Sequence, residues 1–392
     1  MNEPPPPLRD NLAAEWMLEP GVAFLNHGSF GAVPRVVFEA QTEWRRKIEA
    51  APVEVIARRR VELIDPVKQQ VGRWLGMKPG DFGLVTNATE GVNAVLHSLR
   101  FSPGDELLTT NHVYNAVRQA MKFTCARSGA TYREVAVPMP VRSADEIAAA
   151  VVGAVSERTR LVVIDHVTSP TATIFPVERV VRDCAARGVD VLIDGAHAPG
   201  MVPLDVESIG AAYYSGNLHK WAFAPRGAAF LWARSDRQAQ IHPAVVSHHY
   251  GEGFASEFSW QGTRDLSAWL AVPAALEFTL RLGGEAVREH NHAMAVWAHR
   301  MMVEHLDGAE PIVPLDGSML GSMAAVKLPG GLAEVSEKQL MSLQHALYSK
   351  HRVEVPLMRL DPRTVLLRVS CQVYNTPGQY ERAVDVVREL LD

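Results

Sequence analysis

The chain has 392 residues, 47% of them hydrophobic, with a formal net charge of -5 and a pI near 6.3. At roughly 100–200 residues per domain, that length suits two domains with a large core, and the mild acidity offers no basic surface for nucleic acid or anionic lipid. Three scattered cysteines, Cys125, Cys184 and Cys371, show no pairing rhythm and read as reduced cytosolic thiols, which places the protein in the cytoplasm.

The first residues, MNEPPPPLRDNLAAEW, carry no basic segment followed by an apolar one, so they are read as an extended N-terminal arm over 1–20 and not as a signal peptide. No apolar run reaches the roughly 18 residues that a membrane span requires. From about residue 60 the pattern alternates. Helical spacing over 61–75 gives way to a short strand at 82–86 and an amphipathic helix at 89–99. Strand 105–110, helix 114–128, strand 131–137 and helix 144–155 follow. The run RLVVIDHV (160–167) is continuously apolar, as expected of a strand covered on both faces. Helix 177–188, strand 189–197 and the strands in AAYYSGN and GAAFLWA complete the region. This alternation predicts an α/β fold with a mostly parallel sheet in a large domain over 21–258. Ligand sites in such sheets form at the carboxyl ends of the strands. Beyond it, a helix at 267–282, strands at 322–328 and 364–370, and helices at 336–349 and 378–391 predict a smaller α+β domain over 259–392.

Two segments carry chemistry. VLIDGAHAPG (191–200) ends an apolar strand on Asp194, and YYSGNLHKW (213–221) sets Lys220 among apolar and aromatic neighbours. A lone aspartate after a strand is ordinarily a turn carboxylate, and most lysines are solvated. Together, at two neighbouring strand ends, they fit a site for pyridoxal 5'-phosphate. A buried carboxylate keeps the ring nitrogen protonated, and a desolvated lysine supplies the neutral amine that a Schiff base needs. The second segment, LVTNATEGVNAV (84–95), places Thr89 at a helix start. It is either an ordinary N-cap or a phosphate seat on backbone N–H groups. Asn87-Ala88-Thr89 also matches a glycosylation sequon, a chance match in a cytosolic chain. His248-His249 and the pair His290 and His292 lack the supporting cysteines or carboxylates of a metal site.

These segments, with FLNHGSFGAVP (24–34), NHVYNAV (111–117), DHVTSPTATIFPV (165–177), WQGTRD (260–265) and RVSCQVYNT (368–376), resemble the class V aminotransferase-fold enzymes, and among them the isopenicillin N epimerase group. The resemblance implies a fold type I pyridoxal-phosphate enzyme. Lys220 would hold the cofactor as a Schiff base and move the Cα proton, Asp194 would pair with the ring nitrogen, and His197 would contact the ring hydroxyl. Tyr114 would stack on the ring. Ala88, Thr89, Asn217 and His219 would hold the phosphate, and Thr263 would reach the phosphate of a neighbouring subunit, implying a homodimer with shared sites. Arg368 would fork onto the carboxylate of an amino-acid substrate, with Asn26 and His27 beside it. Related cysteine desulfurases carry a nucleophilic cysteine shortly before that arginine; HRVEVPLMRLDPRTVLL (351–367) has none. The resemblance implies Cα–H chemistry, namely epimerisation, racemisation or transamination. The alternative is β-elimination or C–S cleavage, which begins with the same proton loss.

Overall fold

The computed structural model describes residues 3–391. Strands are numbered in chain order: β1 (Ala23–Phe24), β2 (Phe82–Val85), β3 (Glu106–Thr110), β4 (Thr131–Val135), β5 (Thr159–Asp165), β6 (Asp190–Gly195), β7 (Tyr213–Asn217) and β8 (Ala229–Ala233). β9 (Glu310–Pro311), β10 (Met323–Lys327), β11 (Val353–Glu354), β12 (Leu357–Asp361) and β13 (Thr364–Ser370) follow. The large sheet runs β2-β8-β7-β6-β5-β3-β4. Only β8 opposes its neighbours; all other pairings are parallel. The fold is therefore α/β with a mostly parallel sheet, as the alternating pattern predicts.

Side-chain alternation along the central strands builds two core layers. Leu161, Val163, Leu192 and Tyr213 pack with Val92 and Val95 of helix Ala88–Ser98 on one face. Val162, Ile164, Val191, Ile193 and Tyr214 pack with Val177 and Val180 of helix Val177–Ala185 on the other. Parity then decides where the chemistry goes. Asp165, Asp194, Ser215 and Asn217 lie at or near the carboxyl ends of their strands on the face that carries helix Ala88–Ser98, and that helix begins at the same edge.

The C-terminal region forms an antiparallel sheet, β12-β13-β10-β9. Two expectations about organisation meet direct contacts. β1 pairs in parallel with β11, Ala23 opposite Val353, so a segment read as large-domain joins the C-terminal region. Helix Val272–Arg281 packs against helix Arg35–Ala50, bridging the expected boundary at 258/259. The sequence reading also passed over helices Arg35–Ala50 and Gly284–His305. The second lies on β10 and buries His290, Asn291 and His299 beside its apolar residues, which dilutes the hydrophobic period that identifies a helix.

Candidate active site

At the carboxyl edge of the parallel strands lies a cavity of about 480 Å³, lined among others by Thr89, Tyr114, Asp194, His197, Asn217, His219 and Lys220. With Ala88, eight of the residues expected from sequence therefore face one space.

Lys220 follows β7 on a tight segment. The N–H of Phe223 turns back to the Lys220 carbonyl at 3.2 Å, and Phe223 adopts a left-handed φ of 60°. Lys220 Nζ lies 3.0 Å from His197 Nε2, while the Trp221 indole N–H donates to His197 Nδ1 at 3.3 Å. An indole is only a donor, so Nδ1 must be the acceptor and the proton of the neutral imidazole sits on Nε2. That N–H points at the lysine nitrogen, which can accept only as a neutral amine. Burial, above all, and the nearby Arg368 charge bring the Lys220 amine down to about 7, and burial keeps His197 neutral. The hydrogen-bond chain and the electrostatics agree: both favour the neutral amine of this lysine, the form that can act as a nucleophile or base.

Asp194 is buried and accepts from the Ala196 N–H at 3.0 Å. Burial raises its carboxyl, and the Lys220 charge opposes that shift. At the start of helix Ala88–Ser98 the Asn87 side chain caps the helix by accepting from the Glu90 N–H at 2.9 Å. The sequon asparagine is thus a cap, and the helix starts one residue earlier than expected. Asn217 accepts the Ala88 N–H at 2.8 Å, so that N–H is already committed within the protein. Thr89 lines the cavity, and its N–H lies in the first turn, where helix geometry gives it no carbonyl. His219 donates from Nδ1 to the Ala228 carbonyl at 3.1 Å, which turns Nε2 outward as the free nitrogen.

Arg368, on β13, is fully buried with only neutral partners. Its guanidinium donates to the Ser169 carbonyl at 2.7 Å, to Asn26 Oδ1 at 3.1 Å and to Ser29 Oγ at 3.1 Å, and its Nε has no partner. No carboxylate answers its charge among the described residues. Burial lowers it to about 10. A buried cation without a counter-ion is costly, and an incoming carboxylate would relieve that cost. Ser29 and Ser169, which hold it, both line the cavity.

His27 is the expected site residue that is turned away. Its Nδ1 meets the Tyr374 hydroxyl at 2.8 Å and its Nε2 the Lys220 carbonyl at 3.0 Å, so both nitrogens are spent inside the protein. It steadies the backbone of the lysine segment. Thr263 is exposed and lies outside this cavity, on a segment anchored by Gln261, whose amide donates to the Leu84 carbonyl at 2.9 Å. Nine cavity residues were not among the sequence-based site candidates, including Asp165, at the end of the apolar run 160–167, and Phe30, 71% exposed at the rim. The strand-end position of Asp165, shared with Asp194, is the signal that could have found it. All three cysteines are buried, and burial pushes the Cys371 thiol up to about 12, so none serves as an exposed nucleophile.

Comparison with known proteins follows the same lines. The family model for class-V aminotransferases matches residues 24–382. A putative L-cysteine desulfhydrase from Oryza sativa subsp. japonica is 37% identical, with 95% of this chain and 84% of the relative covered. An isopenicillin N epimerase from Amycolatopsis lactamdurans is 33% identical, with 97% of this chain and 98% of the relative covered. Among solved structures, the cystine C-S lyase C-DES superposes with a TM-score of 0.79 at 20% identity, covering 94% of this chain and 98% of the other.

Proposed function

Because the chain belongs to the class-V aminotransferase family, we propose that it is a lyase that removes the Cα proton of a small sulfur-containing amino acid and expels the β-substituent. Pyridoxal 5'-phosphate is the cofactor of this family, and the residues present fit it. Lys220 offers a neutral amine, Asp194 a buried carboxylate for the ring nitrogen, and Tyr114 a flat face. Thr89, the Asn217 amide and His219 surround the place for the phosphate. When bound, the cofactor supplies an electron sink for the pair left at Cα as the proton departs.

The observation that carries the reading is the chain from Trp221 through His197 to Lys220, which keeps the lysine ready to take a proton. Arg368 then fixes the substrate by its carboxylate, so that the Cα–H bond is presented to Lys220. Proton removal and delivery of a proton to a departing thiolate need one mobile base, and Lys220 serves both. Cavity size favours a small substrate: about 480 Å³ is toward the low end of ligand sites, roughly 300–1,000 Å³, and it must hold cofactor and substrate together. The desulfhydrase relative supports the same direction. The second reading, epimerisation or transamination with the carbon skeleton kept, is favoured by the full-length likeness to the epimerase.

Incubation of the holoenzyme with L-cysteine in heavy water separates them. Elimination converts cysteine and water to pyruvate, sulfide and ammonia. Recovered cysteine carrying deuterium at Cα in both configurations, without keto acid, would replace the lyase reading by epimerisation. The same proposal includes a homodimer, supported by exposed Phe30 at the cavity rim and exposed Thr263, and a cytosolic setting, supported by three free cysteines. No helix among the described residues is long and apolar enough to cross a membrane.

A further inference from the structure

Asp165 ends β5 directly beside Asp194 of β6, in the same register and on the same face of the sheet. Both are buried, at 2% and 3% exposure, and both line the cavity. Two carboxylates on adjacent strands, out of water, repel too strongly to be charged together. One must hold the proton. The Ala196 N–H donates to Asp194, while Asp165 Oδ2 is buried without any donor. An oxygen with no donor aimed at it is poorly placed to carry charge and well placed to carry a hydrogen.

We propose that Asp165 is a neutral carboxylic acid on the cavity floor, a positioning residue that leaves the single negative charge on Asp194. Asp194 faces Asp165 from β6, Lys220 lies near both carboxyls from the segment after β7, and Arg118 acts on Asp165 from helix Asn115–Ser128; the Tyr114 N–H also reaches the Asp165 carboxyl. Burial first, then the Asp194 charge, raises the Asp165 carboxyl well above the usual carboxylate range. The arrangement has a consequence for the base. Each negative charge near Lys220 favours its ammonium form. A second charge on Asp165 would oppose the neutral amine that Trp221 and His197 maintain. A neutral Asp165 therefore lets Asp194 stay ionised for the ring nitrogen without protonating the lysine. The inference is independent of whether the reaction ends in elimination or epimerisation.

The test uses infrared difference spectra of the holoenzyme with the Asp165→Asn variant. Wild type should show the C=O stretch of a buried protonated carboxylic acid at neutral pH, and Asp165→Asn should lose it. The pH titration of the visible cofactor band gives a second readout. Asparagine keeps the neutral shape, so the midpoint should stay where it is in wild type. Absence of the acid band in wild type would overturn the proposal. So would a fall of the Asp165→Asn midpoint by about one unit or more, the mark of a lost negative charge. Should the variant fail to fold, the wild-type infrared band alone decides.

Discussion

A Cβ placed on Gly31 would stand 2.1 Å from the carbonyl oxygen of His219. Gly31 also holds φ at +69°, a conformation that L side chains adopt reluctantly. The glycine thus presses bare backbone against the segment that carries the reactive lysine. Gly31→Ala must either move that segment or unwind its own turn. We expect cofactor affinity to fall at least tenfold while the sheet stays folded. Titration of the visible band against added cofactor, with a thermal melt of the apoenzyme, measures the two effects separately.

Trp221→Phe removes the only donor to His197 Nδ1 in the structure as described. The imidazole is then free to turn its lone pair toward Lys220, a partner that favours the ammonium. The lysine, near 7 in the native arrangement, should become harder to deprotonate. Bond formation between the apoenzyme and added cofactor requires the neutral amine, so its rate rises with pH through that value. In Trp221→Phe the midpoint of the rise should move up by about one unit. An unchanged midpoint would remove His197 from control of the lysine.

Lys220→Met should abolish the covalent cofactor bond and turnover while the fold persists, and borohydride treatment of wild type should label this lysine alone. Stability carries a second signature. The folded lysine is depressed to about 7 against 10.5 for a free side chain, so between those values the unfolded chain binds more protons. Stability contributed by this group therefore rises with pH across that window. Apo wild type should gain on Lys220→Met as pH climbs from about 7 to 10.5, as read from urea midpoints. A parallel pH profile for the two proteins would contradict a depressed lysine.

Arg368→Lys keeps a charge but loses the planar fork. Substrate affinity should weaken by about 1–3 kcal/mol, the worth of a charged hydrogen-bonded pair. The native guanidinium has no counter-ion among the described residues, so wild-type thermal stability should also rise with a simple α-amino acid more than that of the variant. Equal protection of both proteins by the ligand would remove Arg368 from carboxylate binding.

Much of the site was legible because it sits where apolar strands stop. Asp194 after VLID and Lys220 before Trp221 are marked by their contrast with their neighbours. Arg368, inside β13, has no such contrast, and only family resemblance pointed to it; its solitude appears once Ser169 and Asn26 are seen around it. His27 misled for the opposite reason. A histidine beside asparagine in a glycine-rich turn suggests a ligand contact, yet Tyr374, some 350 residues away in sequence, takes one of its nitrogens. The fold followed a similar rule. Parallel strands with uninterrupted apolar runs were read correctly, whereas helix Gly284–His305, which buries histidine and asparagine, was not.

The pairing of β1 with β11 divides the labour of the site by chain history. Apart from Ser29 and Phe30, the residues that line the cavity come from one stretch, Thr86 to Gly227. The carboxylate end is different: Asn26 and Ser29 brace Arg368, the Gly28 N–H donates to Ser370 Oγ at 3.0 Å, and the Ser370 N–H to the Leu25 carbonyl at 2.7 Å. On a ribosome the first stretch is complete while residues 353–375 are still unmade, so residues 23–29 wait for a partner that arrives more than three hundred positions later. The surroundings of Arg368 are therefore the last part of the site to be completed as the polypeptide is synthesised.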